Sequence, residues 1–394
     1  MEGFVGRLHA VLVGRLLDHD IPPSVPFALP IERTTDGAPR PDSLRSLTVA
    51  RRAVTIRRVS DTPFLAVQTE TSDQDRYAIE RAIIEGAGGR LVVAQAGSED
   101  ERIELLREAQ AVLVSAAQIN RRVIEGSPRL QLIIRYGVGL DTLDIPAATE
   151  HGVVVAHYPD FCQPEVANHA IMLLLAVAKK LVVHDRAIRA GRWGSVDRAP
   201  APAIHSQTLG LISFGAIARE VAVRALALGM TVTAYDPYEQ DATFEACGVE
   251  RAGSLEELLR GADHVSAHPP LTPETRGMMG AEQFALMKPE AIFVNTSRGP
   301  VHDEAALVAA LEGGEIAGAG LDVFETEPLA ADSPLLAMDN VVLTPHSASY
   351  SDLAFQRMKE RVGNTVVSVM NGRWPSDFAA LPNRNAVTPR VPLQ

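Results

Sequence analysis

From Pro63 onward the chain repeats one pattern: a short apolar run rich in β-branched residues, a polar stop, then a stretch with apolar residues at helical spacing. The runs in the first half are FLAVQ from Phe64, RLVVAQ from Arg90, AVLVSA from Ala111 and LQLIIRYG from Leu130. A second set follows, with TLGLIS at 208–213, TVTAYD from Thr231, HVSAH from His264, AIFVN at 291–295, AGAGLDVF at 317–324 and VVLTPH at 341–346. Strands alternating with helical periods imply βαβ units and parallel sheets. The pattern therefore predicts an α/β protein of two parallel-sheet domains with a cleft between them. Between the two sets, PDFCQPEVANHAIMLLLAVAKKL at 159–181 predicts a turn and a long buried helix, with Pro164 suited to its first position. Near the end, SDLAFQRMKERVGNTVVSVMNGRWP predicts an amphipathic helix stopped by Asn371-Gly372 and packed back on the first domain.

Three strand stops carry the candidate chemistry. AIFVN ends at TSRG with Arg298, AGAGLDVF at ETEP with Asp322 and Glu327, and VVLTPH at His346. In open α/β sheets ligands sit beyond the carboxyl ends of the strands, so these stops should converge on one crevice. An arginine can grip a carboxylate through two parallel N–H bonds and polarise a neighbouring carbonyl. A histidine can give and take a proton near neutrality. A carboxylate on the far side of the ring would fix its tautomer and favour its charged form. Arg298, His346 and Glu327 thus suit the reduction of a 2-oxo acid.

A second constellation lies at 208–236. Strand, small-residue turn, helix start and an acid 21 residues after Gly215 form the layout of a dinucleotide site. Gly215, Ala216 and Ile217 would offer backbone N–H groups and the helix N-terminus to a pyrophosphate. Asp236 would accept from the adenosine ribose and repel a 2′-phosphate, favouring NAD. The glycine fingerprint is incomplete: in Ser213-Phe214-Gly215-Ala216-Ile217-Ala218 only the middle glycine remains, and Ser213 places a Cβ at the tight turn. Weakened NAD affinity is the expectation. His268, beside Pro269, reads as a packing or cofactor-lining residue.

Composition narrows the remaining choices. A chain of 394 residues, 46% hydrophobic, suffices for two domains, and a net charge of −12 disfavours a nucleic-acid surface. Two cysteines, Cys162 and Cys247, give no disulfide framework and no CxxC metal pair, so no metal is expected and a reducing compartment, the cytoplasm, is. The longest apolar run, AIMLLLAVA at 170–178, is too short for a membrane span. Residues 1–60, with a Pro-rich segment and scattered arginines, read as a loosely ordered extension, and the final residues, 381–394, as a loose tail.

NTSRG, GAGLDVFETEP, LTPHSASYS, RYGVGLDTLDIPAATEHGVVV at 135–155 and HPPLTPET at 268–275 together resemble the D-isomer-specific 2-hydroxyacid dehydrogenase family, over about residues 62–376. The resemblance reaches its phosphoglycerate dehydrogenase-like and C-terminal binding protein-like branches. It implies a Rossmann NAD-binding domain at 164–345 and a flavodoxin-like substrate domain made of 61–163 plus 346–380. It makes Arg298, Glu327 and His346 the catalytic trio, and places Tyr136, Val138 and Gly139 with Arg298 on the substrate. Its NAD set is Gly215, Ala216, Ile217, Asp236, Pro270, Thr275, Thr296, Ser297, Asp322, His346 and Ala348, with Asp322 expected to orient the carboxamide or Arg298. It further implies a homodimer, and an NAD-dependent oxidoreductase interconverting a D-2-hydroxy acid and its 2-oxo acid. The alternative is an NAD(H)-sensing corepressor-like dimer of the C-terminal binding protein type, although Ser349 stands where that branch carries tryptophan.

Overall fold

A computed structural model describes residues 63–194, 201, 203–376 and 379–394. The expected extension 1–60 lies outside these residues. Every sequence run became a strand, and all strand pairs are parallel. The first sheet holds β1 (Leu65–Gln68), β2 (Arg90–Val93), β3 (Ala111–Val114), β4 (Leu132–Arg135) and β5 (Val154–Ala156), in the order β2-β1-β3-β4-β5. The second holds β6 (Thr208–Ile212), β7 (Thr231–Tyr235), β8 (Glu250–Arg251), β9 (His264–Ala267), β10 (Ile292–Asn295), β11 (Gly318–Leu321) and β12 (Val341–Leu343), in the order β12-β11-β10-β9-β6-β7-β8. In both, strand order reverses beside the first strand of the sheet, where two outgoing loops part and leave a crevice.

Central strands are buried on both faces, which is why β3 reads as an unbroken apolar run and β10 as one up to Asn295. The helix Gln163–Ala178 covers the second sheet, burying Val166, Ala167, Ala170, Ile171, Leu173 and Leu174. Glycine lets it lie close: a Cβ on Gly320 of β11 would stand 2.8 Å from the Leu173 Cβ. The helix Asp352–Met370 returns to the first sheet against the helix Ala78–Gly86, as its pattern predicted, burying Met358, Val362, Val366 and Val369. Among the described residues no single helix is long and apolar enough to cross a membrane.

One expectation is corrected here. Residues 381–394 are not a loose tail but a strap along β5, the edge strand of the first sheet. Ala380 forms an antiparallel bridge with His157, Arg390 N–H donates to Gly152 O, and Gln394 N–H to Gly372 O. Asn383, buried, accepts from Val155 N–H at 3.1 Å and donates Nδ2 to Val153 O at 2.9 Å. A side-chain amide here stands in for a neighbouring strand and satisfies edge groups that would otherwise be open. The segment is poor in apolar residues, so periodicity carried no sign of it. Asn383→Ala would leave a buried donor and acceptor of β5 unpaired, at about 1–3 kcal/mol each. Urea denaturation should show a loss of about 2–6 kcal/mol.

Candidate active site

The loops leaving the carboxyl ends of both sheets enclose a cavity of about 1440 Å³. On the second domain it is lined by Gly215, Ala216 and Ile217 after β6, Pro270 after β9, and Thr296, Ser297 and Arg298 after β10. Asp322, Glu327, His346 and Ala348 complete that side. Tyr136, Val138 and Gly139, after β4, face them from the first domain. Of the residues expected at a site, Asp236 and Thr275 lie outside the lining. Thr275 closes its own turn, donating Oγ1 to Pro270 O at 2.6 Å.

Each loop has its shape set by a buried polar residue at its base. Asn295, the last residue of β10, accepts from Ser297 N–H and Oγ at 2.9 and 2.8 Å and donates Nδ2 to Arg298 O at 2.9 Å. The Arg298 guanidinium then donates from Nε to Asp141 Oδ1 at 3.0 Å and back to Ser297 O at 2.8 Å. It rests on Gly139 so closely that a Cβ there would sit 1.7 Å from Nη2. No side chain other than hydrogen fits that position. Burial works to raise the Asp141 carboxyl, but the charge and hydrogen bond of Arg298 outweigh it and hold it below the usual range.

Asp322 is fully buried just past β11. Its Oδ1 accepts from Thr344 Oγ1 at 2.6 Å and Ser347 N–H at 2.9 Å, its Oδ2 from Ala348 N–H at 2.9 Å, and its carbonyl from His346 N–H at 2.8 Å. His169 Nε2 lies 3.4 Å away and bonds Thr344 Oγ1 at 2.8 Å. Asp322 makes no hydrogen bond to Arg298 among the described residues; its bonds run to the 344–348 turn. That turn needs holding, because His346 has φ +50°, a left-handed conformation costly for a side chain with a Cβ.

So held, His346 directs Nδ1 to Glu327 Oε2 at 2.7 Å. Glu327 Oε1 accepts from Phe324 N–H at 3.1 Å. Burial raises the Glu327 carboxyl, yet the hydrogen bond and charge of His346 outweigh it and the group ends below its ordinary value. A depressed carboxylate stabilises the fold above its unfolded pKa, and that contribution is lost as pH falls through the lower folded value. The pair is thus ionised on the Glu327 side across the neutral range. His268 also lines the cavity, with Nε2 on Ser266 Oγ at 2.9 Å, and burial pushes it down to about 4, so it is a neutral wall residue as its sequence context indicated.

The helix Ala216–Ala227 begins at Gly215, which offers no side-chain cap. Among the described residues nothing stands within 4 Å of where a Gly215 Cβ would be, and Gly215, Ala216 and Ile217 line the cavity, so the start of a 12-residue helix opens onto it. That is a seat for a pyrophosphate. Ser213 keeps the tight turn despite its Cβ by taking φ +71° and donating Oγ to Asp236 Oδ2 at 3.1 Å. Asp236 also accepts from Phe214 and Tyr238 N–H, both at 2.9 Å, and is buried. Burial works to raise this carboxylate, but these interactions, with the backbone of Glu239 bearing on the same group, hold it below its usual range.

Sequence reasoning missed Asp141 and Glu80. Asp141 lies in the RYGVGLD run itself, and its signal was an acid two residues beyond the ligand-facing glycine. Glu80 has no such signal, because a lone acid in an amphipathic helix normally faces water. Here it is fully buried and accepts from Tyr136 Oη at 2.7 Å. Among the described residues no group of three His, Cys, Asp or Glu is placed to hold a metal ion.

The fold and the cavity define a two-domain dinucleotide-binding protein. Residues 171–348 match the family model for the NAD-binding domain of D-isomer-specific 2-hydroxyacid dehydrogenases. The chain is 40% identical over 295 residues to the glyoxylate reductase of Korarchaeum cryptofilum, covering 74% of this chain and 87% of that protein. It is 38% identical over 296 residues to the D-3-phosphoglycerate dehydrogenase of Methanocaldococcus jannaschii, covering 75% of this chain but only 56% of that longer protein. Among solved structures, D-lactate dehydrogenase of Aquifex aeolicus with NAD and lactic acid superposes with TM-score 0.70 at 29% identity, covering 78% of this chain and 96% of that one. The chain belongs to the D-isomer-specific 2-hydroxyacid dehydrogenase family, and its second domain is the NAD-binding domain.

Because the Ser213 hydroxyl occupies Asp236 and a hydrogen bond is worth about 0.5–1.5 kcal/mol, Ser213→Gly should tighten NADH binding about 3–10-fold. Titration by cofactor fluorescence, against a wild type weaker than low-micromolar, checks this.

Proposed function

We propose that the protein is an NAD-dependent oxidoreductase interconverting a D-2-hydroxy acid and its 2-oxo acid in the cleft between its domains. The observation that carries this reading is the 2.7 Å His346–Glu327 pair opposite Arg298 in one cavity. Arg298, aligned by Asp141 and the Ser297 carbonyl, would bind the substrate carboxylate together with the Val138 and Gly139 backbone. His346 uses Nδ1 on Glu327 and keeps Nε2 for the substrate oxygen, giving its proton in reduction and recovering it in oxidation. Glu327 fixes the tautomer and stabilises the charged ring. Bound nicotinamide supplies or accepts the hydride at the substrate carbon. The uncapped helix start at Gly215 and the Asp236 carboxylate would hold the pyrophosphate and the adenosine ribose of NAD.

The relatives' names, glyoxylate reductase, phosphoglycerate dehydrogenase and lactate dehydrogenase, support the reaction class. Two free thiols, one buried at Cys162, are in keeping with a cytoplasmic setting. Loss of His346 removes the proton donor, worth about a hundred- to ten-thousand-fold. His346→Ala should therefore lower kcat by at least a hundred-fold in an NADH oxidation assay with 2-oxo acids while NADH binding persists; unchanged turnover would reject the mechanism.

We infer also that the working form is a homodimer. Trp193 is 92% exposed, Val223 60%, Leu181 59% and Ile188 50%, on or just after the helices Leu181–Arg189 and Ala216–Ala227, both of which pack on the helix Gln163–Ala178. Large apolar side chains left exposed in this way support an interface. Light scattering should give a dimer, and Leu181→Glu with Ile188→Glu a monomer.

A further inference from the structure

The cavity holds more than the carboxylate anchor and the proton relay require. Three of the chain's six tyrosines and two of its eleven phenylalanines line it, in a protein only 5% aromatic. They form two interlocked groups. Tyr77 and Tyr136 meet edge to face with centroids 5.9 Å apart. Phe161 and Phe355 do so at 6.1 Å, and Tyr350 packs on Phe355 at 5.5 Å. Ile79 and Met358 extend the same wall.

Rings in a cavity are ordinarily core residues showing an edge, so what they present decides the matter. Tyr136, Phe161 and Phe355 are only partly buried and pack against the first-domain core. The Tyr136 hydroxyl is turned away: it donates to Glu80 Oε1 at 2.7 Å inside the fold. Glu80 is fully buried, its Oε2 has no partner among the described residues, and burial raises its carboxyl, so the acid behind the wall tends to the neutral form. A buried acid has thus been placed where it draws off the one polar atom of the Tyr136 ring, leaving carbon toward the cavity. Of the cations at this end, Arg76 is exposed and two have protein partners. Lys359 Nζ donates to Arg76 O at 2.8 Å, and the Arg135 guanidinium donates to Tyr136 O.

We propose that the substrate is a 2-oxo acid bearing a bulky apolar or aromatic side chain, received by the wall of Tyr136, Phe161 and Phe355, with Glu80 as the residue that positions Tyr136. This rests on the reaction proposed above and deepens it. It departs from both glyoxylate, which has no side chain to fill the wall, and a substrate with a second anion, which would be desolvated against rings.

The test uses the full chain with NADH and four acids: phenylpyruvate, 4-methyl-2-oxopentanoate, glyoxylate and 2-oxoglutarate. Each methylene packed in an apolar pocket discriminates by about 10–200-fold, so kcat/KM for phenylpyruvate should exceed that for glyoxylate by at least about 100-fold. Phe161→Ala and Phe355→Ala should each narrow that ratio about tenfold. For Glu80, Leu should raise the phenylpyruvate KM more than it lowers kcat, and Gln, which keeps an acceptor for the Tyr136 hydroxyl, should restore it. Preference for glyoxylate or 2-oxoglutarate, or a ratio indifferent to Phe161 and Phe355, overturns the proposal. If none of the acids is reduced, the proposed reaction itself falls. The wall is then read by binding: 3-phenylpropanoate should bind the NADH complex at least about 30-fold more tightly than acetate, and equal binding overturns it.

Discussion

Buried polar side chains at the carboxyl ends of the second sheet are the constraint on which the site depends. Asn295, Asp322 and Asp236 end or directly follow β10, β11 and β7, and each is buried. Each satisfies N–H groups of a loop leaving its own or a neighbouring strand: Asn295 shapes the Arg298 loop, Asp322 the His346 turn, Asp236 the Ser213 turn. A buried acceptor left unpaired costs about 1–3 kcal/mol, so in each case loop and acceptor hold one another in a single geometry. This is how a parallel sheet, whose strands offer only apolar faces, can present aimed polar groups at its rim.

The same device accommodates strain. His346 and Ser213 both occupy left-handed backbone conformations that glycine would take more readily, and both sit in turns bonded to one of these carboxylates, Asp322 or Asp236. Sparsely populated conformations persist where surrounding bonds over-determine them, and they concentrate at working sites. At Ser213 the incomplete glycine fingerprint is thus repaired locally, with an Asp236 acceptor position taken up by the serine hydroxyl.

Between the domains, the close seat of Arg298 on Gly139 and its bond to Asp141 join the rim of the second sheet to the β4 loop of the first. The guanidinium is an ion-pair partner across the cleft as well as the candidate anchor. A substrate carboxylate arriving there would share a cation whose orientation is already fixed, which reduces the ordering cost of binding.

The sequence by itself determined the strand runs, the parallel α/β class, the long buried helix at 163–178 and the returning helix at 352–370, and it pointed to Arg298, Glu327 and His346 as candidates, which the fold brings to one cavity. Those features are local, carried by apolar periodicity and by polar stops at strand ends, and need no knowledge of what lies across the fold. Tertiary structure alone decided that Asp322 serves the His346 turn, that Asp141 meets Arg298 over 157 residues of chain, that Glu80 is buried behind Tyr136, and that residues 381–394 strap the edge of β5. In each of these a polar group finds its partner far away in sequence. Burial, which makes such pairings obligatory, is a property of the assembled core and not of any segment in isolation.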